Sequence, residues 1–117
     1  MITLTSCMEI KEAQKKIKEL MGDMEHPRLA SFIALTEEVG EVADEIMKKE
    51  IYDSKTSLDD LKGEIADVQV CLLELANVYG IDLDSEFQKK IKHLEPRAKE
   101  WKLTLKDILS KKRAKLD

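Results

Sequence analysis

The stretch from Leu61 to Leu75 most constrains what this chain can become, because it is apolar on nearly every side of a helix and yet carries acids. At about 100° per residue, Leu61, Ile65, Val68, Leu72 and Leu75 form one stripe, with Glu64 at its border. The positions around Asp67, namely Ala66, Val70 and Cys71, are apolar as well. A helix that is oily almost all round belongs at the centre of a fold, so its acids cannot simply be solvated. An earlier stretch repeats the problem. Phe32, Leu35, Val39, Val42 and Ile46 are spaced as the core side of a helix, and Glu37, Glu38 and Glu41 fall within an arc of about 100° beside them.

An unpaired carboxylate near a core is expensive, and several together also repel. Such a cluster persists when a hard cation neutralises it. Glu38 with Glu41, and Glu64 with Asp67, are pairs at i,i+3 spacing, each on one helical face. If the two helices pack antiparallel, the pairs converge into an all-oxygen cage. That is the ligand set Mg²⁺ prefers, particularly when substrate phosphates complete its shell.

Length and composition bound the rest. At 117 residues the expectation is one domain with a modest core. An apolar content of 43% excludes simple disorder, and 38% charged residues with few aromatics suits an all-α protein. No apolar run approaches the roughly 18 residues of a membrane span. The segment from Met1 to Cys7 has neither a basic leader nor a long apolar stretch, so the expected location is the cytoplasm. Cys7 and Cys71 are too few for a disulfide framework, and nothing near them has zinc-site spacing. Residues 37–74 hold twelve acids and four basic residues, whereas residues 89–115 hold eleven of the twenty basic residues. This asymmetry suits an acidic metal site followed by a phosphate-facing or merely solubilising basic segment, and it opposes nucleic-acid binding.

Along the chain, Ile10, Ala13, Ile17, Leu20 and Met21 predict a first helix from about Met8, capped by Ser6 and ended at Gly22-Asp23. Lys11, Lys15 and Lys18 fall on its solvated side. The loop 23–28 holds His26, read as exposed, and Pro27, which suits a first helical turn. Met8, Met21 and Met24 either pack or line an adaptable base pocket. The second helix is predicted from Pro27 or Arg28 to Lys49, with Gly40 explained by close packing or by room at the metal. Thr56 or Ser57 caps a third helix that runs to about Tyr79 and stops at Gly80. A fourth begins near Asp82 or Asp84, Pro96 interrupts it or starts a new turn, and a last segment covers about 100–115, with Trp101, Leu105, Ile108 and Leu109 on its apolar side. The expected architecture is an all-α bundle of four to five helices around a central antiparallel pair.

No nucleophile–base constellation, Gly-rich phosphate loop or Glu-x-x-His pair is present. What remains is metal-assisted hydrolysis with water as the nucleophile.

The pattern Glu37-Glu38-Val39-Gly40-Glu41, then 22 residues, then Glu64-Ile65-Ala66-Asp67 resembles the MazG-like nucleotide pyrophosphohydrolases of the all-α NTP pyrophosphohydrolase superfamily. Phe32-x-x-Leu35 before it and Gly80-Ile81-Asp82-Leu83 after it match too, and the likeness covers roughly residues 8–97. It implies one MazG-like domain over 1–117, with a motif core at about 27–97 and a C-terminal helical extension over 98–117. It further implies Mg²⁺-dependent (or Mn²⁺-dependent) cleavage of a nucleoside triphosphate to monophosphate and pyrophosphate, in the service of nucleotide-pool house-cleaning. Glu38, Glu41, Glu64 and Asp67 would be the metal ligands, and Glu37 and Glu38 the catalytic carboxylates. Lys90, His93 and Arg97 would bind substrate, with His93 standing where relatives often have asparagine and Cys71 where many have tyrosine. Asn77 and Trp101 would either touch a base or pack. A homodimer or homotetramer is implied, in keeping with apolar faces that so few helices leave uncovered. Two other readings stay open at this point: a phosphoribosyl-ATP pyrophosphohydrolase, and a non-enzymatic helical interaction module.

Overall fold

The structure is a computed structural model that describes residues 7–22, 27–52 and 58–116. The described residues form four helices and no strand: α1 (Ile10–Met21), α2 (Arg28–Glu50), α3 (Leu58–Val78) and α4 (Leu83–Leu116). They fall into two compact units, Met1–Leu83 with the first three helices, and Asp84–Asp117 with α4. The predicted caps Ser6, Thr56 and Ser57, together with Asp23, Met24 and His26, lie outside the described residues. No helix among the described residues is long and apolar enough to cross a membrane.

Within the first unit α3 is central, as its all-round apolar sequence requires: α2 packs on one side of it and α1 on another. Leu73 and Ala76 are buried there. Contacts between α2 and α3 come in reversed order along the two sequences. Arg28, at the start of α2, lies 5.3 Å from the centre of the Tyr79 ring, just past the end of α3. Glu41, further along α2, meets Glu64 near the start of α3. Helices that pair in this order run antiparallel.

Gly80 ends α3 as its sequence predicts. Its φ of +65° is a left-handed conformation that a residue without Cβ adopts at little cost. The turn returns Ile81 N–H to the Ala76 carbonyl at 2.9 Å, the six-to-one bond that closes a helix end.

The side of α2 that meets α3 differs from the predicted one. Phe32, Val39 and Ile46 are exposed, Phe32 at 52% and Val39 at 50%, whereas Ser31 is buried and Leu35, Glu38 and Val42 are half-buried. In α3, Ile65 and Leu72 are exposed, while Leu61, Glu64, Val68 and Leu75 are half-buried. Both helices have two apolar arcs, and the contact uses the arc that includes the acids. Gly40 is another correction: a Cβ there would meet nothing within 4 Å, so neither close packing nor crowding within the chain explains it.

Two helix boundaries also move. α1 starts at Ile10, with Glu9 as a cap that makes no side-chain hydrogen bond. Pro96 does not interrupt the fourth helix, which continues through it to Leu116. The missing N–H removes one bond of the ladder, and the remaining bonds of a 34-residue helix carry the chain across.

Candidate metal centre

Glu38 and Glu41 lie one turn apart on α2, and Glu64 faces them from α3. One carboxylate oxygen from each lies within 4.8 Å of the others. Glu38 and Glu64 are half-buried and Glu41 is exposed, so the cluster sits at the edge of the helix pair, with one side open. The Oε2 atoms of Glu38 and Glu64 are themselves buried and have no hydrogen-bond partner.

Crowding of like charges shows in the proton affinities. Glu64 is pushed from 4.5 up to about 7, first by a hydrogen bond with Glu41 that requires a shared proton, then by burial, then by the charges of Glu41, Asp67 and Glu38. Glu38 is raised by burial first, then by the charge of Glu41 and a hydrogen bond with it, and then by Asp67 and Glu37. Neutral carboxyls or a bound cation are the two ways such a cluster lowers its repulsion.

Asp67 and Glu37 are exposed and close enough for their charges to act on Glu38. The neighbouring acids Asp44 and Glu45 are already occupied, since Lys48 Nζ lies 3.1 Å from Asp44 and 3.3 Å from Glu45. The structure therefore brings together three of the four predicted ligands, with Asp67 at their margin. Two buried oxygens without partners, in an all-carboxylate set with no imidazole or thiolate, fit a hard divalent cation such as Mg²⁺ or Mn²⁺ better than zinc.

Lys90, His93 and Arg97 lie on α4, all exposed. Arg97 Nη1 lies 3.1 Å from His93 Nε2, a contact in which the guanidinium can only donate. Arg97 also lies 5.3 Å from the Trp101 ring centre. Cys71 is half-buried, and burial followed by the charges of Glu38, Glu74 and Asp67 pushes its thiol up, as expected of an inert cysteine. Met21 lines a cavity of about 150 Å³ between α1 and α3, together with Ile17, Glu74, Asn77 and Val78.

Asn77 is committed to structure. Its Nδ2 donates to the Gln14 carbonyl at 2.9 Å, and its Oδ1 accepts from Gln14 Nε2 at 3.1 Å. Gln14 is 8% exposed. It also donates to the Ile81 carbonyl and accepts the Leu83 N–H, both at 2.9 Å, which ties α1 to the turn after α3. Sequence reasoning passed over Gln14. The signal was its position four residues after Ile10 and three before Ile17, on the apolar stripe of α1.

A comparison with curated proteins gave no match. Residues 28–101 match the MazG nucleotide pyrophosphohydrolase domain, a span that begins with α2, takes in both acidic halves and ends at Trp101 of α4. With more than half of its length inside that match and the paired acids of α2 and α3 facing one another, the chain belongs to the MazG nucleotide pyrophosphohydrolase family.

Proposed function

We propose that the chain is a Mg²⁺-dependent nucleoside triphosphate pyrophosphohydrolase that converts a ribo- or deoxyribonucleoside triphosphate and water into the monophosphate and pyrophosphate. The observation that carries this reading is the convergence of Glu38, Glu41 and Glu64 within 4.8 Å, with two buried oxygens lacking any partner. In this reading Glu38, Glu41, Glu64 and Asp67 hold the cation. Bound there, Mg²⁺ or Mn²⁺ supplies positive charge against the phosphates and lowers the pKa of a coordinated water. Glu38, or Glu37 beside it, receives the proton of the attacking water. A new bond forms between the water oxygen and the α-phosphorus, the bridging bond to the β-phosphate breaks, and pyrophosphate leaves. By their place in the family motif, Lys90 and Arg97 are assigned to phosphate binding and His93 to substrate binding.

The same reading makes the protein a cytoplasmic homodimer or homotetramer acting on the nucleotide pool. Its support is the pair of apolar arcs left exposed on α2 and α3, through Phe32, Val39 and Ile46 on one and Ile65 and Leu72 on the other.

The test is a panel of ribo- and deoxynucleoside triphosphates, including modified bases, with and without Mg²⁺. Pyrophosphate and orthophosphate are quantified separately. Mg²⁺-dependent pyrophosphate with an equal yield of monophosphate is the expected result. Orthophosphate alone would refute the bond assignment, and no product from any member would turn attention to phosphoribosyl-ATP.

A further inference from the structure

α4 carries a second pattern that the metal site does not use. Ile91, Leu94, Ala98, Trp101, Leu105 and Ile108 follow one another at alternating steps of three and four residues, the spacing of a coiled-coil seam. The run lies within a single helix and spans about 26 Å at 1.5 Å per residue. Pro96 stands on the side of the helix opposite the seam, where its missing N–H does not disturb it. Ile91, Leu105 and Ile108 are exposed, and Trp101 is 50% exposed. Two of the six seam residues, Leu105 and Ile108, lie beyond residue 101, where the family match ends.

The order of these six residues selects a partner. Read from either end it is Ile, Leu, then Ala beside Trp, then Leu, Ile. Laid antiparallel on a second copy of itself about a centre between Ala98 and Trp101, the seam matches Ile91 with Ile108 and Leu94 with Leu105. It also sets each Trp101 against the small Ala98 of the second copy. A parallel arrangement would stack Trp101 on Trp101 and leave a hole between two Ala98 residues, overpacking one layer and underpacking the next.

The flanking charges agree. In the antiparallel register Glu95 of each copy falls opposite Lys102 of the other, so two opposite-charge pairs flank the central layers. In a parallel register Lys102 would instead face Arg97 of the second copy. Lys90 falls opposite Lys111 at the ends of the antiparallel seam, but Lys111 is already paired with Asp107 at 3.0 Å.

We propose that residues 91–108 of α4 form an antiparallel self-pairing surface whose partner is the same segment of a second copy of this chain. The pairing is independent of the hydrolase reading.

Trp101 is the one tryptophan of the chain, so its fluorescence reports this seam and no other self-contact. The experiment follows emission and acrylamide quenching of the full-length protein on dilution, with sedimentation velocity alongside. Emission should be blue-shifted and protected when the copies are paired, and should move to that of exposed tryptophan on dilution. Lys102→Glu and Glu95→Lys each turn two attractions into repulsions. Each should raise the midpoint concentration by about 5- to 10-fold, and the double variant should restore it. Tighter pairing of Lys102→Glu would mean a parallel register, with Arg97 facing the new acid, and would overturn the proposal. Solvent-like emission at every concentration would overturn it too, as would identical midpoints for all four proteins.

Discussion

The α2–α3 pair and α4 are built from the same ingredients, aliphatic side chains and acids at helical spacing, and they put the charge in different places. Between α2 and α3 the acids stand in the contact itself, with Glu38 and Glu64 half-buried. On α4 the six seam residues are apolar, and Glu95, Lys102 and their neighbours flank them. Charge inside a contact weakens it until something neutralises it, which is how a site for a ligand is made. Charge beside a contact leaves its strength to the apolar layers and selects which partner and which direction fit. One arrangement favours chemistry, and the other favours assembly.

The comparison breaks most sharply where acids are removed from the first contact. Glu41→Gln or Asp67→Asn should lower pyrophosphate release at least about a hundredfold, because a charge that stabilises the reacting phosphates is lost. The circular dichroism spectrum should stay helical and the melting temperature should hold or rise, since repulsion is relieved. Near-normal turnover in both variants would remove these residues from the site.

Next in size is the polar clamp that anchors α1. Gln14→Leu deletes a buried group with three side-chain hydrogen bonds and strands the Ile81 carbonyl and Asn77. It should destabilise the unit by about 2 kcal/mol, read as a lower urea midpoint at unchanged slope. A loss within experimental error would mean that α1 is held by its apolar contacts alone.

Gly40→Ala should act in the other direction. A Cβ at this helical position meets nothing within 4 Å, and alanine is the better helix former by about 1 kcal/mol, so stability should rise by up to that amount. A loss instead would show that another copy of the chain packs against Gly40, and would place an assembly contact on α2 as well as on α4.

The smallest effect is electrostatic and depends on pH. Glu64 has its pKa raised from 4.5 to about 7 in the fold, so the folded state binds the proton more tightly than the unfolded chain does. That contribution is fully present below pH 4.5 and is lost as pH rises through about 7. Metal-free protein should therefore melt at a lower temperature at pH 8 than at pH 6 through this group. Glu64→Gln should abolish that part of the difference, and thermal melts across the range would measure it. Mg²⁺ should reverse the sign of the comparison for the parent protein, because a cation binds the ionised carboxylates and is favoured as pH rises.

Much of this was legible in the residues. The helices follow from periodicity, the stop at Gly80 from its freedom to take positive φ, and the acid cluster from two i,i+3 pairs on helices that had to pack. What stayed hidden was the choice between equivalent surfaces. Phe32, Val39 and Ile46 make as good a core stripe as Ser31, Leu35 and Val42, and only the tertiary contact decides which arc turns inward. Pro96 reads locally as a break, but a long helix with intact bonds on both sides absorbs the loss of one. The Gln14–Asn77 pair joins positions 63 residues apart, a distance over which no local pattern carries information.

That separation has a consequence for the order in which the first unit assembles. α2 and α3 are neighbours in sequence, and zipping them together closes only the short connection after Tyr52. α1 packs on α3, and its clamp reaches partners 63 to 69 residues ahead, so it docks only after the whole intervening chain has been drawn in. It should be the last piece to dock and the first to leave. Amide hydrogens of α1 should exchange through a partial opening that leaves the α2–α3 hairpin intact, so the acidic cluster outlives the departure of the helix that completes the unit.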